Sequence, residues 1–188
     1  MKRIAFINIK GGSGKTTLAN ELAFSLDRSN IPYSYYDFDG QRGGAHEEQE
    51  RTDAEIMIAD TASAISTDDL TDAARAADII IVPMRSSGLD AYSFAETIDT
   101  ITATNPQAQI FVVQNAWNRY RLSKDFSEWI KEHAPSASVF TLPQSEAIAQ
   151  AATLKVSVQE HSKRSSGAKS MRAITNGIRK AAGLEEEK

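Results

Sequence analysis

Cysteine is absent from the 188 residues, which excludes a disulfide framework, a thiol nucleophile, a thiolate-held iron–sulfur cluster and a cysteine zinc site. Long apolar runs are missing too: stretches such as Ile79 to Val82 fall far short of the roughly 20 residues a membrane-spanning helix needs. No export signal precedes the strand-like start at Met1-Lys2-Arg3-Ile4-Ala5, so a cytoplasmic location is expected. With only 5 prolines and 10 glycines, no low-complexity linker or internal repeat divides the chain, and residues 1–188 read as one domain. Histidine is scarce: His46, His133 and His161 stand apart without metal-ligand spacing and are assigned no role. Ser63, Ser66 and Ser86 have no histidine and carboxylate in a recognisable triad, so nucleophilic hydrolysis has no support.

Hydrophobic residues make up 41% and charged residues 24%, the balance of a globular protein that stays in water. The net charge of −4 is unevenly placed. Between residues 155 and 180, seven basic residues (Lys155, Lys163, Arg164, Lys169, Arg172, Arg179, Lys180) face one acidic residue, Glu160, giving +6. The last four residues, Glu185-Glu186-Glu187-Lys188, carry −2, which leaves −8 for residues 1–154. A basic segment on an acidic chain suggests a surface that meets a polyanion.

Short β-branched runs alternate with helical periodicity, which predicts an α/β fold with a mostly parallel sheet flanked by helices on both faces. The expected strands are 3–8, 33–37, 55–60, 79–83, 109–115 and 139–142. Several are apolar almost throughout, as strands covered on both faces must be. Helical stripes run through Leu18, Leu22 and Leu26, through Ala91, Phe94, Ile98 and Ile101, and through Leu122, Phe126, Trp129 and Ile130. The stretch 40–52 is polar, glycine-rich and the clearest loop. A last helix over about 165–182, stopped by Gly183, places Met171, Ile174, Ile178 and Ala182 on one side and Lys169, Arg172, Arg179 and Lys180 on the other. Gly177 inside it would weaken the helix by about 1 kcal/mol and allow a kink.

The strongest motif is Lys10-Gly11-Gly12-Ser13-Gly14-Lys15-Thr16-Thr17, directly after a strand and before a helix, the context that a phosphate-binding loop requires. Glycines let consecutive backbone N–H groups point at phosphate oxygens, and the helix start adds its positive dipole end. In this reading Lys15 holds the β- and γ-phosphates and the Thr16 hydroxyl ligates Mg²⁺. Ile9 stands where the general Gly-x-x-x-x-Gly-Lys-Ser/Thr pattern has its first glycine, and an extra lysine, Lys10, precedes Gly11.

This Lys-Gly-Gly-x-Gly-Lys-Thr-Thr form resembles the deviant Walker A motif of the ParA/MinD family of P-loop ATPases. The resemblance implies that ATP joins two subunits, with Lys10 reaching the partner's nucleotide and stabilising the transferring phosphoryl charge as an arginine finger does. Asp37-Phe38-Asp39-Gly40-Gln41 is similar to the family's Asp-x-Asp-Pro-Gln element, with Gly40 in place of proline. Asp39 would hold Mg²⁺ through water or orient the attacking water. Ile56-Met57-Ile58-Ala59-Asp60-Thr61 reads as a Walker B strand, with Asp60 holding a metal-bound water at the ligand-binding edge of the sheet. Asn115 and the stretch at Leu142-Pro143-Gln144 are similar to positions that contact adenine, and Trp117 could flank the base or pack under a helix. Glu146-Ala147-Ile148-Ala149 and Lys155-Val156-Ser157-Val158 are similar to the family's late helix and loop.

Only 20 residues separate Asp39 from Asp60, which suggests a compact plasmid-type member without an amino-terminal DNA-binding domain. The resemblance therefore implies a DNA-partition ATPase, whose ATP-bound homodimer binds non-specific DNA and whose adaptor is a centromere-binding protein of the ParB type. The expected DNA contacts are Lys155, Lys163, Arg164, Lys169, Arg172, Arg179 and Lys180, so charge reversal at Arg172 and Arg179 should weaken binding. One alternative is a MinD-like membrane-cycling ATPase, disfavoured because the Glu-Glu-Glu-Lys end would be repelled by anionic lipid. Another is a P-loop metabolic enzyme, for which no separate acid/base set is found.

Overall fold

The β-branched runs form six strands in a computed structural model that describes residues 1–39, 44–63 and 65–187. They are β1 (Lys2–Phe6), β2 (Tyr33–Asp37), β3 (Ile56–Asp60), β4 (Ile79–Arg85), β5 (Gln109–Trp117) and β6 (Ser138–Pro143). All pair in parallel, in the order β2-β3-β1-β4-β5-β6. The helices are α1 (Lys15–Arg28), α2 (Thr67–Ala76), α3 (Gly88–Thr104), α4 (Arg121–His133), α5 (Glu146–Leu154), α6 (Val158–His161) and α7 (Ser166–Ala181). Alternation along the strands splits the core in two. Ile4, Phe6, Ile58 and Val113 pack toward α1 and α7, whereas Ala5, Ile7, Ile80 and Val112 pack toward α2, α3 and α4. The sheet is thus covered on both faces, as the apolar strands required. Because β1 lies centrally and the chain passes to opposite sides of it, the carboxyl ends of β1, β3 and β4 frame the crevice where such sheets bind ligands.

Two helices differ in detail from their stripes. Leu122 is 56% exposed at the start of α4, because the stripe meets the core only further along, where Phe126 and Trp129 pack against it and Ile130 is buried within it. The helix α2 carries a single long buried side chain, Leu70, beside Ala74, too little periodicity to read from the sequence; Ser66 caps it by accepting from the Asp69 N–H at 3.1 Å. Gln49 forms a bridge with Tyr35 inside the expected loop 40–52, while Gly40 and Gln41 lie outside the described residues.

The last helix runs unbroken through Gly177, and Gly183 at φ +81° follows its end. Gly177 serves packing: a Cβ there would stand 2.7 Å from the Phe140 ring. Met171, Ile174 and Ile178 are buried as expected. Arg179 is a correction, since it is only 2% exposed and cannot be a surface cation. At 100° per residue it stands about 80° from Met171, on the flank of the apolar stripe rather than opposite it. Its guanidinium donates to the Ser25 carbonyl (2.9 Å), the Ser29 hydroxyl (3.0 Å) and the Glu185 carbonyl (2.8 Å), joining α7 to the end of α1 and to the tail. Arg179→Ala is expected to lower stability by roughly 2–4 kcal/mol, the cost of stranding buried acceptors. Thermal melting checks this; a change no larger than that of Lys180→Ala, an exposed neighbour, would overturn it.

The acidic tail is likewise docked. Glu187 accepts from Arg28 and from Ser25, and its backbone pairs with the Asn176 amide. Part of the tail's charge is therefore neutralised on α1, which weakens the expectation that the tail repels anionic lipid.

Candidate functional site

Gly11 to Thr17 turn from β1 into α1, with Gly12 at φ +72° and Gly14 at φ +109°, both in the left-handed region that glycine adopts without strain. Among the described residues, no backbone N–H from Gly11 to Thr17 is hydrogen-bonded. Seven consecutive unpartnered donors at the amino end of a 14-residue helix make an anion cradle. The loop is braced from below. Asn8 is fully buried and links the Lys10 N–H (2.8 Å) to the Pro83 carbonyl (2.6 Å), tying the loop to β4. On the other side, Asn115 donates to the Ser13 carbonyl at 2.8 Å.

Lys15 is 4% exposed and curls over the loop to the carbonyls of Asn8 (3.1 Å) and Lys10 (3.4 Å). Burial lowers its pKa, against the pull of Asp60 and Asp39, which favour the charged form. Lys10 points elsewhere: its ammonium meets the Asp90 carboxylate at 2.6 Å, where Asp90 is 2% exposed at the start of α3 and also receives the Ser87 hydroxyl. The two lysines of the motif are thus separated in place. Lys15 stays inside the cradle, and Lys10 is held at its rim by a buried carboxylate.

Asp60, at the end of β3, is fully buried, and neither of its oxygens has a hydrogen-bond partner among the described residues. Burial pushes its pKa up to about 7; Asp37 and Asp39 add to the rise, while Lys15 and the nearby Thr16 hydroxyl oppose it without reaching hydrogen-bond geometry. Asp39 accepts from Ser63 at 2.8 Å, and its N–H donates to Asp37 at 2.9 Å. An orphaned buried carboxylate beside a threonine hydroxyl and a lysine fits a hydrated divalent cation. No trio of acidic or histidine ligands occurs among the described residues, so Mg²⁺ here would take its remaining ligands from phosphate oxygens and water.

The structure brings together Lys10, Gly11, Gly12, Ser13, Gly14, Lys15, Thr16, Thr17, Asp39, Asp60 and Asn115. Pro143 ends β6 opposite Trp117, on the same sheet edge. The cations Lys155, Lys163, Arg164, Lys169 and Lys180 are exposed and Arg172 is half-buried, with its Nε donating to Gln159 at 3.0 Å. They lie on α5 to α7 rather than in the cradle.

Sequence reasoning missed Asn8, Asp90 and His46. The His46 ring sits between Phe24, at 4.4 Å between centroids, and Tyr35, at 5.8 Å. Asn20 donates to the Thr16 carbonyl at 2.7 Å, which leaves its oxygen to accept from the backbone of Ala45 and His46 and from His46 Nδ1. The histidine thereby anchors the chain beyond the Asp39 loop to the phosphate-loop helix. No spacing rule signals such a contact, because Asn20 and His46 meet only in the fold.

Three comparisons bear on this geometry. No curated protein matches the chain. Among solved structures, an ATP complex of a Cyanothece McdA variant superposes with a TM-score of 0.81 at 17% identity, covering 100% of this chain and 98% of that one. The cell division ATPase MinD of Pyrococcus furiosus gives 0.68 at 13% identity, covering 95% and 98%. A plasmid partition protein of Borrelia burgdorferi bound to AMPPNP gives 0.68 at 15%, covering 95% and 99%. At these identities the likeness shows a shared fold. Residues 4–158 match the family described as the CobQ/CobB/MinD/ParA nucleotide binding domain, and with the match spanning most of the sheet and the whole cradle, the chain belongs to that family.

Proposed function

We propose that this chain is a Mg²⁺-dependent ATPase of the ParA type that couples ATP-driven homodimerisation to binding of non-specific DNA. The observation that carries the nucleotide reading is the run of unpartnered N–H groups around Lys15. Lys15 and the loop amides would hold the β- and γ-phosphates, and Thr16, Asp60 and Asp39 would hold the hydrated metal. The bound Mg²⁺ supplies charge neutralisation on the phosphates. Asp39 would orient the attacking water.

A dimer through the nucleotide face is supported by where the apolar surface lies. Seven large apolar side chains are exposed among the described residues, and five of them (Phe38, Leu89, Tyr92, Tyr120, Leu122) stand on segments leaving the carboxyl ends of β2, β4 and β5. Apolar groups gathered on one edge mark an association surface. Lys10 lies on that edge, where release from Asp90 would free it for the partner's nucleotide.

The DNA reading rests on the exposed cations Lys155, Lys163, Arg164, Lys169 and Lys180, with Arg172 beside them. A lipid surface would instead need the apolar face of α7, and that face is spent on the core through Met171, Ile174 and Ile178. No described helix is long and apolar enough to cross a membrane. An adaptor of the ParB type would stimulate hydrolysis and release the DNA, and the protein would associate with the nucleoid in the cytoplasm.

The test is binding to a non-specific duplex at low and moderate salt, with no nucleotide, ADP, or ATP under slow-hydrolysis conditions. Salt-sensitive binding with ATP alone is expected. Charge reversal at Lys163, Arg164 and Lys169, chosen in place of the buried Arg179, should weaken it at least tenfold and flatten the salt dependence. Absence of DNA binding in every state would overturn the reading. ATP-dependent binding to anionic vesicles would then select the membrane-cycling alternative, and turnover dependent on a small acceptor would select the metabolic one.

A further inference from the structure

We infer that Asn115 is a positioning residue of the phosphate loop, which fixes the peptide between Ser13 and Gly14. This rests on the nucleotide reading above. Alternation along β5 sends Val113 toward α1 and Val112 toward the opposite face, so residue 115 also faces the α1 side, under the loop. There its amide nitrogen donates to the Ser13 carbonyl at 2.8 Å, and its oxygen accepts from the Ala116 N–H at 2.7 Å. One N–H and one oxygen lone pair of the amide are thus spent on the protein.

The fit is built from both sides. A Cβ on Gly14 would stand 2.3 Å from the Asn115 amide nitrogen, so the missing side chain of Gly14 is the slot that Asn115 fills. Ala116 is held at φ +52°, and the β5–β6 register shifts between Gln114 and Trp117. A non-glycine residue in the left-handed region costs about 1 kcal/mol and persists only where its surroundings impose it. Here the imposed geometry presents an N–H to the Asn115 oxygen and so sets the orientation of the amide.

A peptide plane points its C=O and N–H in opposite directions. Holding the Ser13 carbonyl against β5 therefore directs the Gly14 N–H away from β5, and that N–H has no partner among the described residues. Without the Asn115 donor, the plane would be free to rotate, and a carbonyl turned into the cradle would repel phosphate as strongly as the N–H attracts it.

The test measures binding of ATP, GTP and inorganic tripolyphosphate, each with Mg²⁺, to the wild-type chain and to Asn115→Asp and Asn115→Ala. Asn115→Asp keeps the shape and the acceptor toward Ala116 but sets a carboxylate against the Ser13 carbonyl. All three ligands are expected to weaken by at least about tenfold in Asn115→Asp, with tripolyphosphate, which has no base, losing as much as ATP. Loss of ATP affinity with tripolyphosphate unchanged would overturn the inference and return Asn115 to base contact; no loss for any ligand would also overturn it. If the variants do not fold, the wild-type side-chain amide resonances of Asn115 decide: equal shifts with ATP and tripolyphosphate support positioning, and a shift with ATP alone overturns it. Failure of the wild-type chain to bind any of the three would instead overturn the nucleotide reading itself.

Discussion

Replacing Lys15 with alanine is expected to lower ATP turnover by at least about a hundredfold and to remove measurable nucleotide binding. Loss of a single preorganised donor to developing charge costs about a hundredfold or more where water is excluded, and Lys15 is 4% exposed. Its ammonium rests on two main-chain carbonyls, at 3.1 and 3.4 Å, contacts that phosphate oxygens can replace without moving the backbone. The same change at Lys10 should read differently. Lys10 is held by Asp90 at the rim, so Lys10→Ala is expected to leave nucleotide binding by the single chain within about threefold while abolishing ATP-dependent self-association. Phosphate release, equilibrium binding of a fluorescent ATP analogue and sedimentation velocity separate the two outcomes. Turnover unaffected by Lys15→Ala would mean that the phosphates lie elsewhere.

Much of this arrangement is legible in the residues because it depends on local rules. The six strands fall within a few residues of their expected limits, since apolar runs bounded by turns can hardly do anything else in a covered parallel sheet. The glycines of the loop allow a tight turn, and Gly12 and Gly14 take positive φ in it. What is not legible depends on groups brought together by the fold. Arg179 reads as one more cation in a basic run, yet its flank position carries it between the end of α1 and the tail, where the Ser25 carbonyl, the Ser29 hydroxyl and the Glu185 carbonyl accept from it. Asp90 carries no motif of its own; that it meets Lys10, 80 positions earlier, follows only from β4 lying beside β1. His46 lacks any ligand spacing and so has no role in the sequence reading, but three aromatic rings and the Asn20 amide enclose it. Asn115 donates to the Ser13 carbonyl, 102 positions away, a contact that no local rule signals.

The second large effect is expected at Asp60, where burial opposes function. The carboxyl is fully buried and has no hydrogen-bond partner among the described residues, with its pKa pushed from 3.8 to about 7. A raised pKa means that the folded chain holds a proton which the unfolded chain has already lost, so the stabilising contribution is complete below the unfolded value and is lost as pH rises through about 7. At 1.36 kcal/mol per unit, the loss amounts to as much as about 4 kcal/mol. With metal chelated and no nucleotide present, the melting temperature of the wild-type chain should therefore fall between pH 5 and pH 8 relative to Asp60→Asn, whose amide carries no charge. At pH 8 the variant should melt about 10 °C higher, given the 2–4 °C per kcal/mol usual for a chain of this size. Adding Mg²⁺ and ATP should reverse the order, because the charged carboxylate then has a hydrated cation to face and the amide does not. Parallel profiles for the two proteins, with or without nucleotide, would show that Asp60 is not a desolvated charge waiting for a cation. The predicted crossing follows from one geometric fact: the sheet buries an acid at a point where the described side chains supply no hydrogen-bond partner, so stability without ligand and affinity with it must move in opposite directions when that acid is neutralised.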